Sequence, residues 1–209
     1  MQVPYRLPGS QQVQWVDLYT RMSFDRIVFL DEEIDDNFAN FIVALLLSLN
    51  SEDSTKPIFL YINSPGEQSA RRTGGMVASM AIYDTMQYIK SPVHTICLGQ
   101  AGGTAAMLLS SGAKGSRLSL PSAEIVLSPQ YNRMGGQATD IEIDARKVVA
   151  DRAMFVEILA DNTGQSTEKV LKDLDRRLYF TPTTAQEYGL IDRVLDPKNL
   201  PAPVQSRLT

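Results

Sequence analysis

The chain has 209 residues, 44% of them hydrophobic, which is enough for one well-packed core and unlike a disordered, collagenous or disulfide-stapled composition. Its 20 basic and 24 acidic side chains leave a formal charge of −4, with no basic block and no basic stretch interleaved with aromatics, which argues against nucleic-acid and peripheral membrane partners. The opening MQVPYRLPGSQQ lacks the apolar run of a signal peptide, no window reaches the roughly 18 apolar residues that span a bilayer, and the single Cys97 makes no internal disulfide.

In chain order, RIVFL (26–30) reads as a short strand, and DDNFANFIVALLLSLN follows with acidic N-cap candidates and a wide apolar face. PIFLYI (57–62) is rich in strand formers, and a glycine-containing loop leads to MVASMAIYDTMQYIK (76–90), helical by its 3–4 spacing. VHTICL (93–98) is a further strand, and GTAAMLLSSG reads as a buried helix stopped by Gly112. The alternation predicts an α/β fold with a mainly parallel sheet and right-handed crossovers. Sites belong at the carboxyl ends of such strands, where the loops 63–75 and 99–104 fall.

Beyond residue 115 the pattern changes. SRLSL and EIVLS read as short strands, QYNRMGGQ as an irregular excursion, and TDIEIDARKVVADRAMFVEILADNTG as a long helix opened by a capping box, Thr139-x-x-Glu142, and closed near Gly164. A helix of about 24 residues is roughly 36 Å long, as long as a small domain is wide. If it projects, its Ile141, Val148, Val149 and Phe155 need a partner surface, so oligomerisation is expected. There is no internal repeat, and one domain over 1–209 is the expectation.

The chemistry narrows by residue type. The only histidine, His94, stands three residues before Cys97 in one strand, which sends the two side chains to opposite faces and disfavours a Cys-His dyad. One His and one Cys cannot assemble a four-ligand zinc site. The acidic run DEEIDD (31–36) lacks the alternating order of a calcium loop and suits a helix start. There is no Walker loop, and GQAGG lacks the dinucleotide spacing, so no cofactor and no metal are expected.

The segments YINSPG, AIYDTMQYIK, HTICLGQA, SSGAKGSRLSLP, GQATDIEIDARKV, DNTGQS and EYGLIDRVL resemble, in order, the proteolytic subunit of the Clp protease, ClpP, over nearly the whole chain. The resemblance implies a crotonase-like α/β fold with a head and a protruding handle at about 129–163, and an axial N-terminal segment at 1–16. It implies two stacked heptameric rings fed by an ATP-driven (AAA+) Clp unfoldase that delivers unfolded polypeptides. It also implies that the nucleophile's position is held by Gly103, the histidine's by Ser128 and the aspartate's by Arg177. A glycine cannot attack, a serine cannot act as base near neutral pH, and an arginine cannot orient an imidazole as an anion does. The chain thus looks like the ClpR type of non-catalytic paralogue, a structural and regulatory subunit beside active ClpP paralogues and other ClpR subunits. Its expected place is the plastid (chloroplast) stroma, or the cytoplasm of a cyanobacterium.

Further positions follow from the same resemblance. The turn at Gly66 and Glu67, with Thr104, matches the oxyanion-hole region. Glu67 stands where the family has a second glycine, unless Gly74-Gly75 takes that role. The extra residues after it, with Arg71 and Arg72, either form a tolerated surface loop or reshape the peptide groove. Phe59 and Tyr61 match unfoldase-docking aromatics, although alternate residues of one strand are usually core. Val149, Phe155, Asp175 and Arg176 are candidate ring contacts. The alternative is an enzyme of the same fold with other chemistry, an acyl-thioester enzyme of the crotonase type or a residual hydrolase using Thr104.

Overall fold

Three segments rich in β-branched and aromatic residues, β3 (Ile27–Leu30), β4 (Ile58–Ser64) and β5 (Val93–Gly102), lie side by side as parallel strands. The computed structural model describes residues 1–6, 13–67, 74–129 and 136–195. Between these strands run α2 (Asp36–Glu52) and α3 (Gly74–Tyr88), which pack on each other. Asp35 caps α2 by accepting the Phe38 N–H at 2.8 Å, so the acidic run serves the helix start as its position suggests. After α4 (Thr104–Ser110), β5 divides its partners. Its first half pairs with β6 (Arg117–Ser119) and its end with β7 (Glu124–Leu127), both parallel. β9 (Arg193–Val194) extends the sheet beyond β6, and β8 (Leu178–Phe180) pairs antiparallel with β7. The mainly parallel α/β sheet agrees with the sequence reading.

The core lies between this sheet and its helices. Leu30, Ile42, Leu46, Leu60, Ile62 and Ile82 are fully buried. A buried Arg117 joins the later elements. It pairs with Asp192 at 2.6 Å and donates to the carbonyls of Ser110, Asn162 and Gly189, near the carboxyl ends of three helices. Those helices are α4, α5 (Ala138–Thr163) and α7 (Pro182–Tyr188). Burial pushes the Asp192 pKa up, but the hydrogen bonds and charge of Arg117 outweigh it and hold the carboxyl below its ordinary value.

The structure corrects several local expectations. α4 ends at Ser110 with Ser111 as cap, ahead of Gly112. Gly112 is needed for space instead, because a β-carbon there would run into the Thr95 side chain. α5 begins at Ala138 with Gln137 as its uncapped N-cap, which puts Thr139 inside the first turn, and Glu142 pairs with Arg146 at 2.7 Å, so the capping box does not form. Gly164 closes α5 in the left-handed conformation, as its place in the sequence implied. Phe155 is 1% exposed and belongs to the chain's own core, so it is not a ring-contact residue. Val149, by contrast, is 70% exposed. No residue from 138 to 154 is buried.

The short α1 (Leu18–Phe24) and α6 (Thr167–Asp173) were not read from the sequence. At the N-terminal segment, β1 (Gln2–Arg6) pairs antiparallel with β2 (Val13–Asp17). Residues 7–12 of that segment, 68–73 with Arg71 and Arg72, and 130–135 of the handle region lie outside the described residues. No helix among the described residues is long and apolar enough to cross a membrane.

Candidate functional site at the ends of β4, β5 and β7

The two glycine loops meet where parallel strands end. The β4–β5 register shifts between Ile62 and Ser64, which sets Ser64 opposite Ala101. The turn after β4 is held from below, as Ser64 Oγ donates to the Glu32 carbonyl at 2.5 Å and accepts the Gly66 N–H at 3.1 Å. The Gly66 carbonyl in turn accepts the Ile34 N–H at 2.9 Å. Gly66 has a φ of 95° and lies so close on the strand end that a β-carbon would overlap the Gly102 carbonyl oxygen. Left-handed backbone and close approach together require glycine there.

Gly103 follows with φ 50° and ψ −118°, and its N–H donates to the Val126 carbonyl of β7 at 2.9 Å. α4 starts directly after it. The Thr104 N–H donates to Glu67 Oε2 at 3.0 Å. A β-carbon on Gly103 would sit 2.9 Å from that same oxygen and 3.2 Å from Ser128 Oγ. Antiparallel pairing of Leu127 with Leu178 brings Ser128 and the exposed Arg177 to adjoining strand ends. Gly103, Ser128, Arg177, Gly66, Glu67 and Thr104 are thus brought to one place by four segments far apart in sequence. Gly74 and Gly75 instead open α3.

The chemistry available here is largely that of the backbone. The main-chain N–H groups of Gly103 and Thr104 are engaged, the first by the Val126 carbonyl and the second by Glu67. The Thr104 hydroxyl accepts a hydrogen bond from Ser79 Oγ at 2.8 Å, and both residues are fully buried. It faces the core, so it is not the nucleophile of the residual-hydrolase alternative. Ser79 has no signal in the sequence, being one small polar residue on an apolar helix.

The other candidate residues fall elsewhere. His94 pairs in register with Phe59 near the start of β5, about 30 Å along the strand from Gly103 at 3.3 Å per residue. Burial lowers its pKa. Cys97 is buried, which pushes its thiol up to about 12. Among the described residues no group of three or more His, Cys, Asp and Glu could hold a metal ion.

Phe59 and Tyr61 do not point into the core. They alternate with buried Ile58, Leu60 and Ile62 and share the half-buried face of β4. The Tyr61 ring stacks on Phe29 at 5.6 Å, and Tyr19 meets Phe29 edge-on at 5.6 Å. Next to this row is a cleft of about 570 Å³ lined by Tyr19, Phe29, Phe38, Phe41 and Leu45, with Asp17, Asp31 and Glu32 also on its lining. On the handle side, Asp175 is exposed and pairs with Arg152 at 2.7 Å, beside the equally exposed Arg176.

The site sits on a mainly parallel α/β sheet joined to a long helix whose first part is unburied. Clp protease is the family that matches residues 10–198, and the chain belongs to that family. It is 51% identical over 197 residues to ATP-dependent Clp protease proteolytic subunit 2 of Prochlorococcus marinus (strain MIT 9313), covering 92% of this chain and 94% of that protein. It is 50% identical over 201 residues to ATP-dependent Clp protease proteolytic subunit 3 of Synechococcus sp. (strain CC9605), covering 94% and 96%. The relatives' names point to a peptidase, and they overturn the expectation, drawn from Gly103, Ser128 and Arg177, that the chain is not an enzyme. Both of these relatives are cyanobacterial rather than from plastids.

Proposed function

We propose that this chain is a subunit of an ATP-dependent Clp peptidase core. It forms ring wall, axial pore and unfoldase-docking surface beside paralogues of the same family. In this reading the peptidase activity belongs to the assembled core, two stacked heptameric rings, and the unfolded polypeptide is supplied by a Clp ATPase. The compartment is the cytoplasm of a cyanobacterial cell. The observation that carries the proposal is α5. Ile143 and Val149 are 65% and 70% exposed on a helix none of whose first seventeen residues is fully buried, in a chain of the Clp protease family. Such a helix gains its apolar contacts from another subunit. Phe59, Tyr61 and the adjoining aromatic cleft support the docking role, and Gly103, Ser128 and Arg177 stand as the positions that correspond to the family's triad.

The test is native mass spectrometry of the tagged chain purified from a cyanobacterial host. A ring containing this chain together with other Clp proteolytic subunits is expected. Recovery as a monomer, or in an assembly without Clp subunits, overturns the proposal.

A further inference from the structure

We propose that the cleft between α1, β3 and α2 is charge-selective. It takes a segment of a partner protein in which an aromatic or aliphatic side chain stands beside a lysine or arginine. This rests on the docking role proposed for that face and gives the partner its chemistry.

The floor and the rim of the cleft differ in character. Phe29, Phe38, Phe41 and Leu45 make the floor apolar, and a volume of about 570 Å³ has room for more than one large side chain. Phe41 and Tyr19 are each 54% exposed, so this apolar surface meets water in the single chain. The rim carries Asp17, Asp31 and Glu32, and no basic residue lines the cleft. Among the described residues no ion pair engages Asp31 or Glu32, and Asp17 faces only the N-terminal amine, at 3.8 Å. Tyr19 joins floor to rim. Its ring meets Phe29 edge-on and its hydroxyl donates to Asp31 at 2.9 Å. Its pKa is raised, first by the hydrogen bond and charge of Asp31, with burial and the charges of Glu32 and Asp17 adding to them.

Charge complementarity sets the occupant. A neutral apolar side chain fills the floor and leaves the carboxylates to water. A cation on a flexible stem reaches the rim as well, and on its way passes aromatic faces that attract it. An anion is repelled. The competing structural role lies at the start of α2, where acidic residues complement the helix dipole. Asp35 already caps that helix, and Asp31 and Glu32 precede the cap. Dipole complementation predicts a stability change on substitution. It predicts no preference among ligands of different charge.

The test flows the full chain over three immobilised peptides, Gly-Ser-Gly-X-Phe-Leu-X-Gly-Ser-Gly with X lysine, glutamine or glutamate, and reads affinity by surface plasmon resonance. The lysine peptide is expected to bind about fivefold more tightly than the glutamine peptide, as two partly exposed ion pairs allow, and the glutamate peptide less tightly than either. Raising NaCl from about 50 to about 300 mM should remove most of that difference. Asp31→Asn with Glu32→Gln should bring the lysine and glutamine peptides within about twofold of each other and leave the affinity for glutamine unchanged. Glu32→Lys should turn the preference toward glutamate. Its side chain is exposed, so it carries the test if the double variant does not fold. Phe41→Ala should weaken all three peptides about tenfold. Equal affinity for the lysine and glutamine peptides overturns the proposal, as does binding that Glu32→Lys or Phe41→Ala leaves unchanged. If no peptide binds the assembled chain and Phe41→Ala breaks the assembly in sedimentation, a second copy fills the cleft and the proposal falls. Native mass spectrometry keeps the two readings apart. A chain that joins Clp subunits but binds the three peptides equally loses the charge-selective cleft alone. A chain that never joins them yet prefers lysine loses the proposed function and keeps the selectivity.

Discussion

α4 and the first part of α5 are both regular helices, yet opposite forces specify them. All seven residues of α4 are buried, so its helical state is imposed by neighbours on every side. In α5 no residue from 138 to 154 is buried, and its ion pairs are Glu142 with Arg146 and Lys147 with Asp151 inside the helix and Arg152 with Asp175 beyond it. Such pairs contribute about 0.3–0.5 kcal/mol each. They do not account for an exposed Ile143 and Val149. From Phe155 onward the same helix behaves like α4 and enters the core. One helix therefore serves two environments, and the boundary falls near residue 155.

That comparison can be broken most forcefully at the boundary itself. Phe155→Ala should cost about 3–5 kcal/mol in urea unfolding, as a large core side chain does. A cost below about 1 kcal/mol would show that the buried half is not buried in solution. Arg117→Met should follow at about 3 kcal/mol, since it leaves Asp192 and three helix-end carbonyls without their donor. Val149→Asp should change the chain's own stability by no more than about 0.5 kcal/mol. It should nevertheless shift the assembly to smaller species in sedimentation. A full-sized assembly with the charge in place would mean that the exposed half has no partner.

Two smaller effects sharpen the buried side. The Asp192 carboxyl titrates below its ordinary value in the folded chain, so its contribution is complete above the unfolded value of about 3.9 and is lost as pH falls through that value toward the folded one. Unfolding free energy measured from pH 6 down to pH 3 should drop, and Asp192→Asn should flatten part of that slope. Cys97, with its thiol raised to about 12, should react with Ellman's reagent only as fast as the protein opens. Immediate labelling of the folded chain would contradict its burial.

The elements legible in the sequence were those whose signals are local. The Asp35 cap, the apolar runs of β3, β4 and β5, and Gly164 each act within a few residues. The errors share a different cause. Gly112 was read as a helix stop because glycine often is one, whereas it is required by Thr95, on a strand that packs over it. Thr139 and Glu142 have the spacing of a capping box, but the chain enters the helix at Ala138. Phe155 and Val149 look alike in a helical pattern and differ only in what lies opposite. At the candidate site, the resemblance named Gly103, Ser128 and Arg177 as the triad positions, and the strand register sets Ser128 beside Gly103 and Arg177. The contact between Glu67 and Thr104 was not legible, because it depends on two turns meeting across a gap of 37 positions. The Arg117 hub left one trace, a charged residue inside a short buried strand.

The distance between Arg117 and Asp192 also sets an order of events in time. The two are 75 positions apart. At about 5–20 residues per second, synthesis of that interval takes roughly 4–15 s. During it β3, β4 and β5 can pair in the order they are made, while β6 has no β9 beside it and a guanidinium destined for burial has no counter-ion. An unpaired strand edge and an uncompensated charge both favour keeping that side of the nascent sheet in water. The arrival of Asp192 removes both obstacles at once, so the last strand to be made acts as the latch on the half of the domain that carries α4, α5 and α7.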